Sequence, residues 1–106
     1  MNHCKITALK KLANQDLINE YVGEEFRDRR IFPCQRFEEG QGFITESWGL
    51  SQEGFCASAW DSIIKHIGVV ITGGDLHPWV NQEGTAIACC TDGYRPVVFK
   101  IERIEA

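Results

Sequence analysis

TAIACCTDGYRPVVFKIERI, residues 85–104, is the stretch that decides the fold. Apolar and polar side chains alternate after Asp92-Gly93, and an Asp-Gly pair between two such segments is typical of a β-hairpin. The first strand should end near residue 91, and the second should run from about residue 95 to residue 104. Side chains two residues apart on a strand share a face, so the second strand should present to the core Val97, Phe99 and Ile101.

The register of this hairpin depends on the length of its turn. A two-residue turn of type I′ needs positive φ at both central positions, and it would place Cys90 opposite Arg95 and Cys89 opposite Pro96. Proline has no N–H group for the ladder, so Pro96 would then require a sheet edge or a bulge. A longer loop over Thr91–Tyr94 removes that conflict and is the alternative.

The whole chain predicts an α+β fold in a single domain, residues 1–106. The sheet should be small and mainly antiparallel, with a barrel-like curvature as an option, and it should carry one main helix and one short helix. The expected strands lie near residues 3–9, 42–47, 85–91 and 95–104, and the expected helices near residues 15–22 and 58–68.

Helical periodicity is clearest after residue 58. Ser58 followed by Asp61 resembles a capping box, and an apolar stripe at i, i+3, i+4, i+7 comprises Trp60, Ile63, Ile64 and Ile67. Trp60 is therefore expected to anchor the core, and Gly68 either ends the helix or is tolerated within it. The short helix should begin after Asn14, whose side chain can accept from the free N–H groups of a first turn.

Composition and charge exclude several classes of function. The formal net charge of −4 argues against a general nucleic-acid-binding surface, and the positive cluster at Arg27, Arg29 and Arg30 is interrupted by Asp28 and predicts a solvated loop. No apolar run approaches the ~20 residues that span a bilayer. The N-terminus lacks the apolar core of a signal peptide, so the expected location is cytoplasmic, without a membrane partner.

Five cysteines in a chain without a secretion signal are expected to stay reduced, and their odd number prevents complete pairing. They would act either as small buried side chains or in thiol chemistry. Spaced Cys-x-x-Cys pairs, which are typical of zinc sites, do not occur. A metal site would need ligands that converge from separate loops, drawn from Cys34, Cys56, His77, Cys89 and Cys90.

The same thiols suggest a ligand-binding pocket formed by the Gly54–Asp61 loop, the Gly73–Trp79 loop and the hairpin. Strand alternation sends Cys89 and Cys90 to opposite faces, so at most one of them should serve any given site. Arg95 suits an anionic group, because its planar guanidinium can bind carboxylate or phosphate through two hydrogen bonds. The candidate lining is Cys56, Trp60, His77, Trp79, Cys89, Cys90 and Arg95.

Three different functions are compatible with these residues. The first is a small ligand- or metal-binding cytoplasmic domain with a thiol-containing pocket, which would take a small anionic ligand or a metal ion. The second is an oligomerising interaction protein with structural cysteines, whose sheet edges pair across a two-fold axis. The third is a thiol-redox or metal-assisted enzyme, although the motifs G-x-G-x-x-G, G-x-S-x-G and H-E-x-x-H are absent and no cofactor is indicated.

The C-terminal segment CCTDGYRPVVFKIER, residues 89–103, resembles the signature of a small uncharacterised protein family of mainly anaerobic bacteria and archaea. Residues 4–7, 39–43 and 54–61 resemble its other blocks, so the resemblance covers nearly the whole chain. Family members carry Pro-Trp where this chain has Ala57-Ser58. The resemblance implies a compact cytoplasmic protein and transfers no activity and no catalytic residues.

Overall fold

A computed structural model describes residues 2–27, 34, 36–46 and 54–105. Its strands form one antiparallel sheet in the order β2-β1-β4-β3, so the predicted α+β class and the antiparallel sheet are confirmed. Strands β2 and β3 are the two edges of the described sheet, which is therefore not closed into a barrel. The strands are β1, Asn2–Lys11; β2, Gly42–Thr45; β3, Thr85–Cys89; and β4, Val97–Glu105.

Three helices accompany this sheet: α1, Gln15–Tyr21; α2, Glu24–Arg27; and α3, Ala57–Ile71. The sequence did not predict α2, which is a single turn. Arg29 and Arg30 lie outside the described residues. No described helix is long and apolar enough to cross a membrane.

The main helix keeps the predicted stripe but not the predicted start. Trp60, Ile63 and Ile67 are buried against the sheet, which confirms Trp60 as a core anchor. The N-cap is Cys56 rather than Ser58, and Ser58 lies inside the helix, where its carbonyl accepts from the Ser62 hydroxyl at 2.8 Å. The helix runs through Gly68 to Ile71, because Val70 and Ile71 continue its buried face.

The core lies between α3 and one face of the sheet. Alternation along β1 buries Cys4, Ile6 and Ala8 completely, and the core face predicted for β4 is confirmed by the full burial of Val97, Phe99 and Ile101. An edge-to-face aromatic cluster extends this core next to the start of α3, with ring centroids 4.9–5.9 Å apart. Its rings belong to Phe37, Phe43, Phe55 and Phe99.

The two-residue turn predicted for the hairpin is wrong. Cys89 faces Val98 rather than Pro96, and the Cys90 N–H donates to the Val97 carbonyl at 3.1 Å, so the loop extends over residues 91–96. Gly93 does not take a positive φ, which a type I′ turn requires. The alternative, a loop longer than two residues, is confirmed, but the loop ends at Pro96 and not at Tyr94. Pro96 therefore lies outside the ladder, where its missing N–H has no consequence.

The physical reason for this longer loop is a set of contacts at both of its ends. The Asp92 carboxylate accepts from the backbone N–H groups of Tyr94 (2.9 Å) and Arg95 (3.1 Å), which curls the chain back on itself. The segment directly after β1 also contacts the loop, since the Leu12 N–H donates to the Pro96 carbonyl at 2.9 Å. Asn14 donates through its backbone to the Tyr94 carbonyl and through its side chain to Gly93, so it docks the loop instead of capping α1.

Candidate functional site

A cavity of about 540 Å³ lies where three distant segments meet. One wall comes from the residues around Cys34, the second from the start of α3, and the third from the hairpin loop after β3. Three thiols line it, Cys34, Cys56 and Cys90, and two arginines join them, Arg36 and Arg95.

A different local structure places each of the three thiols at the cavity. Cys56 is the N-cap residue of α3, so it stands directly before the first helical turn. Cys90 follows the last residue of β3, and its sulfur accepts from the Val97 N–H at 3.4 Å. Cys34 is buried, and its sulfur accepts from the Arg36 N–H at 3.5 Å. All five cysteines of the chain are free thiols.

The start of α3 gives this cavity a positive electrostatic character. Residues 57–59 line it, the first turn contains no acidic residue, and the Cys56 side chain does not cap the helix. The first N–H groups of a helix have no partner within it, and the aligned peptide dipoles place about half a positive charge at this end. A wall made of such groups favours a negatively charged atom in the cavity.

Arg95 is oriented within the hairpin loop by Asp92. Its Nε donates to the Asp92 carboxylate at 2.8 Å, and both side chains are about three-quarters buried. Burial opposes ionisation of Asp92, but hydrogen bonds from the Arg95 side chain and from two backbone N–H groups outweigh it and hold the pKa of Asp92 below its usual value. Among the described residues, the lining of the cavity thus contains two guanidinium groups and one carboxylate.

The structure brings three of the predicted ligand-binding residues together, namely Cys56, Cys90 and Arg95. Cys89 is exposed and does not line the cavity, as strand alternation predicted for one of the two neighbouring thiols. Trp60, which is only 4% exposed, belongs to the core.

The Gly73–Trp79 loop does not contribute to this cavity, contrary to expectation. It begins at the opposite end of α3, about 22 Å along the 15-residue helix from the wall formed by its first turn. His77 is exposed on that loop, and Trp79 lines a separate groove with His66 and Ile87.

No three His, Cys, Asp or Glu side chains among the described residues are grouped closely enough to hold a metal ion. Cys34, Cys56 and Cys90 border one cavity without forming a coordination sphere, and Cys89 and His77 lie elsewhere. The thiol-containing pocket is therefore present, whereas an assembled metal centre is not found in this part of the chain.

Sequence reasoning missed Arg36 and the role of Asp92. Arg36 follows an unpatterned segment, and nothing local indicates that it reaches the same cavity as Arg95. Asp92 did carry a signal, because an Asp whose carboxylate can accept from the backbone two and three residues later is typical of an Asx turn. The Asp-Gly pair also favours a type I′ turn, which the hairpin does not form.

The chain matches none of the protein-family models, curated proteins or solved structures with which it was compared. The family resemblance of its C-terminal segment therefore stays an expectation.

Proposed function

We propose that this protein binds a small anionic ligand in the cavity between the start of α3 and the hairpin loop. The observation that carries the proposal is the convergence of Arg36 and Arg95 with three thiols around about 540 Å³ of space. This volume falls within the range of roughly 300–1,000 Å³ that is usual for small-molecule sites.

The polar and apolar walls of the cavity suit two parts of one ligand. The arginines and the N–H groups at residues 57–59 would hold a phosphate or carboxylate group, since charge-assisted hydrogen bonds to guanidinium are both strong and directional. Phe37 and the thiols offer a softer wall to the rest of the molecule, because cysteine side chains behave as small, polarisable apolar groups.

The preformed Asp92–Arg95 pair supports binding further. Because Asp92 holds the guanidinium through Nε and fixes the loop through two backbone bonds, little side-chain freedom remains to be lost when a ligand arrives. Preorganisation of this kind raises affinity by lowering the entropic cost of binding.

The test is a titration with inorganic phosphate and with citrate, followed by amide NMR spectra of the ¹⁵N-labelled protein. We expect saturable shifts of the amide signals of residues 57–59 and 92–95. Arg36→Gln should weaken binding by about tenfold, the effect of losing one charge-assisted contact. The matched control is Lys100→Gln, which removes a positive charge paired with Glu102 outside the cavity and should leave affinity unchanged.

Thiol alkylation supplies a second readout. A ligand in the cavity should protect Cys56 and Cys90 from iodoacetamide, whereas the exposed Cys89 should react at the same rate with and without ligand. If about 10 mM phosphate or citrate neither moves the amide signals nor slows alkylation of the cavity thiols, the proposal fails, because even a millimolar site would be largely occupied.

A further inference from the structure

We propose that strand β3 pairs with β3 of a second copy of this chain across a two-fold axis at Ile87, so that two four-stranded sheets join into one. This inference is independent of the ligand-binding proposal. It depends on the direction of the backbone groups of β3, on the composition of that edge and on the exposed apolar side chains beside it.

Two hydrogen bonds establish which way each residue of β3 faces. The Cys90 N–H donates to the Val97 carbonyl at 3.1 Å, and the Arg103 N–H donates to the Gly84 carbonyl at 2.9 Å. Residues of an antiparallel strand alternate between facing the partner with both backbone groups and facing away from it. The backbone N–H and C=O groups that face away from β4 are therefore those of Thr85, Ile87 and Cys89.

These outward groups meet no strand among the described residues, since β3 is an edge of the sheet. They form a self-complementary set. If two copies pair antiparallel about Ile87, then Ile87 faces Ile87 of the second copy and Thr85 faces Cys89 of the second copy. Three such pairs, each exchanging two bonds, give roughly six hydrogen bonds between the copies. A shift by one residue would set outward groups against inward ones. A shift by two residues would again oppose outward groups but would leave only two of the three pairs, so the register centred on Ile87 forms the most hydrogen bonds.

The composition of this edge also fits pairing rather than exposure to water. Residues 84–91 contain no charged side chain and no proline, although charges and prolines are the common protection of a solvent-exposed edge. Edge strand β2 differs, because it has only four residues and the exposed Glu46 follows it.

Exposed apolar surface lies directly beside β3, an edge of the described sheet. Trp79 is 92% exposed and Ile87 is 48% exposed, and both line a groove of about 580 Å³ that reaches from α3 to the strand. An aromatic side chain such as tryptophan can bury roughly 150–250 Å² of surface. Aromatic residues are enriched in protein–protein interfaces. A strand added at Ile87 would cover this surface.

The first test is the molecular mass by analytical ultracentrifugation over a wide concentration range. We expect the wild type to approach twice 12.0 kDa as the concentration rises. Ile87→Lys should raise the dimer dissociation constant by about tenfold or more, because it sets like charges opposite each other at the axis. The matched control is Ile44→Lys on the other edge, where the side chain is 55% exposed, and it should dimerise as the wild type does.

A proline variant separates pairing from folding. The Ile87 N–H faces away from β4, so Ile87→Pro removes no hydrogen bond within the chain and deletes two at the axis. It should remain folded by circular dichroism and become monomeric.

Disulfide trapping tests the register. Opposed residues of a hydrogen-bonded antiparallel pair have Cα atoms about 5.5 Å apart, which lies within the range that a disulfide bridges. Ile87→Cys combined with Cys89→Ser should therefore give a covalent dimer on mild oxidation, and Ile44→Cys combined with Cys89→Ser should not. A wild type that is monomeric at about 1 mM, a dimer that survives Ile87→Lys unchanged, or trapping through residue 44 in place of 87 would each overturn the proposal.

Discussion

Raising the pH from 9 to 11 should destabilise this protein through one thiol, that of Cys4. Cys4 lies in the middle strand β1, opposite Thr45 on β2 and Arg103 on β4, and it is completely buried. Burial raises the pKa of its thiol from 9.0 to about 11, while the Arg103 charge lowers it and the Glu102 charge raises it by smaller amounts.

The magnitude follows from that pKa. In the unfolded chain Cys4 loses its proton near pH 9, whereas in the folded chain it keeps the proton to about pH 11. Ionisation between these values stabilises the unfolded state alone. The contribution of Cys4 to stability is therefore intact below pH 9 and is lost as the pH rises towards 11. Each pKa unit corresponds to about 1.4 kcal/mol, so two units give a limiting loss of about 3 kcal/mol, of which about 2 kcal/mol falls between pH 9 and pH 11.

The assay is urea unfolding under reducing conditions at several pH values between about 8 and 11, for the wild type and for Cys4→Ala. The variant should be less stable at pH 8, because it leaves space in the core, but its free energy of unfolding should fall less steeply above pH 9. Cys89→Ala removes a thiol from an exposed position and should follow the wild-type curve. Parallel curves for wild type and Cys4→Ala would refute the reasoning.

Three further predictions concern groups whose contacts are equally specific. Asp92→Ala should lower the free energy of unfolding at pH 7 by about 2 kcal/mol in urea titrations, since it removes the acceptor of three hydrogen bonds. Because the pKa of Asp92 is lowered in the folded state, its contribution is present above the unfolded pKa of 3.8 and is lost as the pH falls through the folded value, so the two proteins should converge in stability in acid. Arg103→Gln should lower the thermal midpoint, at a loss of about 2–3 kcal/mol, because the guanidinium donates to the Val70 and Gly74 carbonyls at the end of α3; Lys100→Gln is the control, and equal midpoints would contradict this role. Mass spectrometry after brief alkylation of the native protein should find Cys89 modified first and Cys4 unmodified, and rapid labelling of Cys4 would contradict its burial.

Local patterns were sufficient for most of the secondary structure. The apolar stripe from Trp60 to Ile67 is compatible with only one buried face of a helix. The alternation at Cys4, Ile6 and Ala8 is likewise compatible with only one buried face of a strand. Both patterns depend on backbone periodicity, which any stretch of sequence carries within itself. The same alternation correctly separated Cys89 from Cys90.

The hairpin register and the cavity were decided by tertiary structure. The Asp-Gly pair is compatible with a tight turn, but the Asp92 side chain and the docking of Asn14 from the end of β1 select the longer loop. Asn14 and Gly93 are 79 residues apart in the chain, so no local pattern contains that contact.

The sequence by itself determined most of the helices and strands and the apolar faces of β1 and β4, because these properties follow from spacing along one segment. The sequence also contains five thiols, but no local pattern indicates which of them lie close together in the fold. Only the fold placed Cys34, Cys56 and Cys90 around one cavity with Arg36 and Arg95, left the Gly73–Trp79 loop at the far end of α3 and made β3 an edge of the described sheet. The physical reason is that convergence depends on how separate segments pack against a shared core, and packing is a property of all of them together.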